Sequence, residues 1–514
     1  MKIIVCLFLS ITLVFSPLIG ICQDSQRQLL GLNKLELMEQ YLGTASGGDG
    51  SAKYKEVTVA MAQKSIEDAA NMGAAFLRVG VTGFFPNQPG QKSDLDLWQR
   101  DPQAYWQVMD SMLSDLSAQQ LGIVPLFVWN IGQFSAISGD SYVNFLRDPN
   151  SSSYKLLERY VREFVARYKT HRSIIFYDLA NEFNQSADID VETRCAKERN
   201  APLCANPANV TTNDIIAFLN RLAALIRSLD AQRKISSGYA INRPSAEHLR
   251  DNPEWSNQKS SWTPDDFSQF VQNLRDMNNM VDIISVHIYP SRENRRFGIR
   301  AGEESHMLEY AKRAADEIGK PLFVGEFGEF DSMRATVPGG FSDQLMRDLI
   351  RLRIPYAALW GLEFYPRKPY YDQLGRQELI SVEFGYTDYV IARFMETAAA
   401  LGQRVHQVGN QDNKPPRVVL TWPLECSSIN KEQLVYAVAS DNSLKVSQVE
   451  FWINDQKVAS VATPPYQAKI NSNTLVPGVY SIKARAYDAV GNGSETVRRV
   501  SVNGEAKGGA MPCP

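Results

Sequence analysis

The chain has 514 residues, 44% hydrophobic and 22% charged, with a formal net charge of -3. That length supports a large core and about two folded units, while the near-balanced charge excludes an electrostatic basis for binding nucleic acid or an anionic membrane. The five histidines, His171, His248, His287, His306 and His406, and the six cysteines form no CxxC or HxxxH spacing, so no metal site is expected and nothing calls for a cofactor.

Lys2 precedes an apolar run over residues 3–15 and a second over 18–22, the pattern of a signal peptide occupying 1–22 with a cut after Cys22. An uncleaved membrane anchor and a lipoprotein cut before Cys22 are the alternatives. The mature chain is expected to be secreted, periplasmic or at the cell surface. It would meet a membrane only through an N-terminal anchor. A monomer is expected. Export permits disulfides, and Cys195 and Cys204, nine residues apart in a polar Asn- and Pro-containing segment, are the candidate pair; Cys426 and Cys513 are a second, undecided one.

Residues 29–41 form a short amphipathic start with a first strand near 29–35, followed by a Gly/Ser stretch over 43–51. From Val57, helical segments alternate with short apolar runs, as in repeated β/α units. The spacing predicts helices over 61–72, 102–120, 154–168, 211–229, 266–277, 305–318, 341–352 and 388–401. It predicts strands over 75–81, 123–129, 174–180, 234–240, 281–289, 322–327 and 356–364. Leu157, Tyr160, Val161, Phe164, Val165 and Tyr168 fall on one helical face. Eight strands with helices between them specify an α/β fold, a (β/α)8 barrel over 26–401, longer than the ~250 residues typical of such a barrel. The excess sits in insertions over 183–210 and 242–264, after strands four and five. A doubly wound open sheet lacks support, since no GxGxxG turn follows the first strand.

A polar stretch over 402–416 reads as a linker. Over 417–503 the pattern changes to about seven short alternating runs, such as Tyr480, Ile482, Ala484 and Ala486 against Ser481, Lys483 and Arg485, which indicate an immunoglobulin-like sandwich before a tail over 504–514. The run AYDAVGN over 486–492 resembles the end of bacterial Ig-like modules attached to secreted enzymes. Such a module is a spacer or a glycan binder, and Trp422 and Trp452 serve equally as core residues or platforms.

Two strand ends carry carboxylates: Glu182 in SIIFYDLANEF and Glu326 in PLFVGEFGEF. A carboxylate where a buried strand runs out must be paired or must face a polar cavity. In a parallel barrel all C-terminal strand ends converge on one face, so these two would meet Arg78, Asn181, His287, Tyr289 and Trp360 in one cleft. Each residue type has a use in cleaving a glycosidic bond. One carboxyl donates a proton while the other stays ionised, and Arg78 would keep a neighbouring carboxylate ionised. Asn181 can bond a sugar 2-hydroxyl, His287 and Tyr289 can orient the carboxyls, and Trp360 offers a flat apolar face. Glu329, three residues past Glu326, reads as a rim residue. Trp98, Trp106, Trp129, Phe134, Trp255, Trp262, Phe297 and Tyr365 are expected in or near cleft loops, two or three of them stacking on sugars.

With Asn181-Glu182 after strand four and Glu326 in GEFG after strand seven, the chain resembles the retaining (β/α)8 glycoside hydrolases of clan GH-A. It is nearest to family 5, the cellulases and β-mannanases, and Arg78, His287, Tyr289 and Trp360 extend the match. The resemblance implies that Glu182 is the acid/base and Glu326 the nucleophile. Phe183 departs from the Pro of many family-5 members, and Asn130 stands where several have His. The expected activity is endo-hydrolysis of a β-linked polysaccharide, β-mannan or β-glucan. An exo-acting β-glycosidase of the clan and a non-catalytic glycan-binding protein on the same scaffold are the alternatives.

Overall fold

The computed structural model describes residues 27–44, 59–83, 86, 92–197, 208–328, 340–362, 388–405, 415–423, 427–429, 431–440, 446–463 and 466–502. The expected leader, Glu329, Tyr365, Cys204, Cys426 and Cys513 lie outside them.

Eight short strands form a parallel sheet: β1 (Leu29–Asn33), β2 (Phe76–Gly80), β3 (Gly122–Val128), β4 (Tyr177–Ala180), β5 (Ile235–Ser236), β6 (Ile284–Ile288), β7 (Leu322–Phe327) and β8 (Tyr356–Leu359). Their order is β5-β4-β3-β2-β1-β8-β7-β6. A parallel bridge from Ser236 to Ile283 brings β5 to the segment leading into β6 and closes the ring. The strands are near-continuous apolar runs because both faces are covered, as parallel strands require; every residue of β2, β4, β6, β7 and β8 is buried.

The long helices between strands are α1 (Val59–Asn71), α2 (Pro102–Ala118), α3 (Ser152–Tyr168), α4 (Thr212–Leu229), α5 (Phe267–Met277), α6 (Met307–Ile318), α7 (Phe341–Arg351) and α8 (Asp388–Ala400). The stripe read in the sequence is the face α3 buries: Leu157, Tyr160, Val161, Phe164, Val165 and Tyr168 all lie in the main core. Thr211 and Asp266 start α4 and α5 with capping boxes, each satisfying backbone donors that a helix start leaves unpaired. A separate apolar plug of Phe76, Val124, Phe176, Ile283, Phe323, Tyr356 and Ala358 fills the barrel interior, so the polar residues at the strand ends sit on a dry floor. The fold is a (β/α)8 barrel.

One strand is shorter than its apolar run. Over 234–240 only Ile235 and Ser236 are strand, because Gly238 turns to φ +73. There a Cβ would stand 1.9 Å from the Ala180 carbonyl oxygen. Glycine alone accepts that conformation and that approach together, and it lets β5 close against the end of β4.

From Arg417 the long elements among the described residues are all β-strands. A five-stranded sheet, β10 (Ser428–Ile429), β16 (Gly493–Val502), β15 (Gly478–Asp488), β12 (Val446–Ile453) and β13 (Gln456–Val461), faces a three-stranded one, β14 (Tyr466–Asn471), β11 (Glu432–Ser440) and β9 (Arg417–Trp422). Val449, Phe451, Ile482, Ala484 and Ala486 of one sheet and Leu420, Val435, Ala468 and Ile470 of the other share a second core. That is one strand more than the alternation predicted, the extra being two-residue β10. Among the described residues, no helix is long and apolar enough to cross a membrane.

Candidate active site

Arg78 lies in β2 with no exposed side-chain surface, and a buried guanidinium needs its donors satisfied. Strands β1, β4 and β7 supply the acceptors. Nε donates to Asp178 of β4 (2.8 Å), Nη1 to Glu326 of β7 (2.8 Å) and to Asn33 of β1 (3.2 Å), and Nη2 to Asn181 just past β4 (2.8 Å). Asn33 ties the hub to the other side of the ring, donating from Nδ2 to the carbonyls of Gly325 (2.9 Å) and Ala358 (3.2 Å). Because its oxygen is occupied by Arg78, Asn181 has its amide hydrogens to offer to a ligand.

Above this hub the carboxyls face each other. Tyr289 donates to Glu326 at 2.9 Å, and the His287 Nδ1 lies 2.8 Å from Glu182 and 3.4 Å from Glu326. A carboxylate oxygen of each glutamate and a ring nitrogen of His287 all lie within 4.8 Å of one another. Glu326 is nearly sealed, with 4% of its side chain exposed, whereas 36% of Glu182 is open to solvent. Glu182 occupies a left-handed conformation at φ 53, held by its amide bond to the Gly238 carbonyl. Gly325, preceding Glu326, is needed for the histidine: a Cβ there would lie 2.8 Å from the His287 Nε2.

Desolvation raises the pKa of both carboxyls. Against it, His287, Arg78 and the Tyr289 hydrogen bond pull Glu326 down, while the neighbouring Glu182 pushes it up; Arg78 pulls Glu182 down. Arg78 thus acts on Glu326 in the direction expected of it, favouring the ionised form, while burial acts in the opposite direction. Burial also depresses His287 to about 4, so the ring is neutral near pH 7 and Arg78 is the cation of the cluster. With all three carboxyls ionised, Asp178, Glu182 and Glu326 around one guanidinium would leave a net charge of −2, and one proton held by the Glu182/Glu326 pair reduces it to −1. Tyr289, raised well above its ordinary value first by burial, stays a hydrogen-bond donor.

The structure thus brings together every residue singled out at the strand ends: Arg78, Asn181, Glu182, His287, Tyr289 and Glu326 directly. Trp360 stands beside them, its amide bonded to the Phe327 carbonyl at 2.8 Å. Asn33 and Asp178 were missed. Their signal was present, since each is a polar residue inside an otherwise apolar run, LLGLN and YDLA. Asn130 uses its Oδ1 to hold the Gly132 amide in a turn. The aromatic expectation is corrected at Trp98, Trp106 and Phe134, which are 0%, 3% and 0% exposed. Trp98 and Trp106 pack on Tyr160 and both donate to Glu163, and Phe134 stacks on Phe145. Phe297 packs against Phe267 and Phe270, whereas Trp262 is exposed. Cys195 is buried and disulfide-bonded. As for metals, Glu182, His287 and Glu326 are the one set of three potential ligands among the described residues; the Arg78 charge 2.8 Å from Glu326 opposes a cation there.

Fold and site together define a (β/α)8 barrel with a carboxyl pair at its mouth, followed by an immunoglobulin-like sandwich. Residues 416–484 match the family model of the bacterial Ig domain. The sequence has no match among curated proteins. Among solved structures, the chain is similar to an endo-β-1,4-mannanase from Thermotoga petrophila, at 15% identity and a TM-score of 0.48, over 93% of this chain and 99% of that one. It is similar to an endo-1,4-β-mannanase from Rhizomucor miehei at 14% identity and 0.48, over 73% and 95%. A tri-modular family-5 (subfamily 4) endo-β-1,4-glucanase from Bacillus licheniformis matches at 11% identity and 0.46, over 93% and 78%.

Proposed function

We propose that the protein is a retaining β-glycoside hydrolase acting on a β-linked polysaccharide, β-mannan or β-glucan, from within the chain. The observation that carries this reading is the spacing of the two carboxyls, with nearest oxygens within 4.8 Å. Retaining enzymes hold their carboxyl groups ~5–5.5 Å apart, whereas inverting ones leave ~6.5–9.5 Å for a water molecule. The unequal bonding of the pair supports the division of roles. Glu326, held by Arg78 and Tyr289, is the anion, and Glu182, a third exposed beside neutral His287, carries the proton.

In the first step a Glu326 oxygen attacks the anomeric carbon, the glycosidic C–O bond breaks, and Glu182 gives its proton to the leaving oxygen. In the second step Glu182 takes a proton from water as that oxygen displaces Glu326 from the sugar. Asn181 is placed to bond the 2-hydroxyl, an interaction that strengthens in the oxocarbenium-like transition state. The leader and the polar segment around Cys195 support export, with Cys195 paired to Cys204; loss of a mass label on both cysteines under non-reducing conditions tests the pairing.

Reducing-end release from mannan, glucomannan, carboxymethylcellulose and xylan tests the activity. Oligosaccharide ladders are expected, and a single monosaccharide would turn the reading to exo action. Glu326→Gln abolishes hydrolysis in a folded protein, and Glu182→Gln lowers kcat by about 10²–10⁴-fold on substrates with poor leaving groups. Comparable activity in the Glu326→Gln variant would reject the mechanism.

A further inference from the structure

Trp129 takes no part in the chemistry above, yet its position is specific. It follows Val128, the last residue of β3, whose carbonyl accepts the Asn181 amide at 2.8 Å, so its backbone starts beside the acid/base. In the ring, β2 and β1 stand between β3 and β8. The Trp129 indole nevertheless meets that of Trp360 beyond β8, with centroids 5.9 Å apart and planes 16° from parallel. Arg78 and Asn33 belong to the two strands so bridged. Trp360 in turn is fixed beside the nucleophile: its amide bonds Phe327, and a Cβ at Gly328 would lie 3.4 Å from the Tyr289 ring and 3.5 Å from the Trp360 Cβ. Both indoles are half-buried. Near-parallel aromatic rings at this separation attract each other in an offset stack, and a side chain stacked on one face has only the other to present.

We propose that Trp129 is a positioning and specificity residue. It holds the Trp360 indole so that one face meets the sugar ring bound at the carboxyl pair, and the two-ring wall favours a pyranose whose C–H groups form a flat apolar face. The proposal rests on the glycosidase reading and deepens it. Removing Trp129 frees Trp360 to rotate, which weakens binding in ground and transition states alike and shows as KM rather than kcat.

The test compares Trp129→Ala, Trp129→Phe and Trp360→Ala on the polysaccharide the wild type cleaves best. In Trp129→Ala, KM is expected to rise about three- to tenfold, the equivalent of one aromatic contact, with kcat changed by less than about twofold. Trp129→Phe recovers most of that loss. A readout free of substrate accompanies the kinetics: two stacked indoles give an exciton couplet in the far-ultraviolet circular dichroism, expected in the wild type and lost in all three variants. An unchanged KM in Trp129→Ala, a loss confined to kcat, or a couplet that survives in Trp129→Phe would each overturn the proposal. Should the wild type cleave no glycan, the glycosidase reading fails on its own, and the couplet still decides whether Trp129 holds Trp360. If Trp129→Ala does not fold, the Phe variant carries both readouts.

Discussion

At the scale of single residues, the site is one charge problem solved by hydrogen bonds. Three carboxyls surround Arg78, and burial raises the pKa of both Glu182 and Glu326. The pH dependence of hydrolysis follows from the two roles. Activity falls toward acid as Glu326 is protonated, and toward alkali as Glu182 loses its proton. With both raised from the ordinary ~4.3 of a glutamate, the bell of kcat/KM lies above that value, and its limbs report the coupled pair. Arg78→Lys keeps the charge but loses the fork that reaches Asp178, Glu326 and Asn181 together. Its acid limb therefore moves to higher pH, and an unmoved limb would show that another group holds Glu326 down. Glu182 and Glu326 were legible in the sequence because a carboxylate at the end of an apolar run has few innocent explanations. Asn33 and Asp178 showed only as polar residues in apolar runs; that their task is to satisfy Arg78 was not legible, because which acceptors a buried guanidinium meets depends on strands far apart in the chain.

At the scale of elements, periodicity located every long helix to within a few residues, as in α3 and α4, since an amphipathic stripe survives any detail of packing. Strand lengths were less legible. The run over 234–240 looks continuous, yet β5 stops after two residues because Gly238 is spent on bringing β5 against β4. The aromatic residues were misplaced for a related reason: Trp98 and Trp106 lie near loops in sequence but on the inner faces of helical segments in space. The Gly238 contact has a measurable consequence. Gly238→Ala introduces a left-handed non-glycine residue and a clash with the Ala180 carbonyl, costing more than about 3 kcal/mol. Urea unfolding checks the loss. Because Glu182 N bonds the Gly238 carbonyl, activity in the folded fraction is expected to fall as well.

At the scale of the whole molecule, two separate cores divide the work: the barrel helices pack on one, and the two sheets of the sandwich enclose the other. The change of period near Arg417 made this division visible in the sequence, and the eight strand–helix units with no GxGxxG turn pointed to a closed barrel; the register by which the ring closes was not legible, since it depends on how the strands tilt. That closure is uneven. β2 and β3 pair along five residues, while the ring is joined between β5 and β6 through the Ser236–Ile283 bridge and the amides of Asp282 and Ile283 on the Ile235 carbonyl. A barrel opens first where its ladder is thinnest. In native-state hydrogen exchange the Ile283 amide should therefore trade its proton for deuterium by a subglobal opening, ahead of the amides of β2 and β3, which wait for complete unfolding. Equal protection on both sides would mean that the packing of α4 and α5 holds the seam shut. The seam starts at the Ser236–Ile283 bridge, two residues before Gly238, whose carbonyl accepts the Glu182 amide, so a bound oligosaccharide that steadies the acid/base end of β5 should also slow exchange at Ile283.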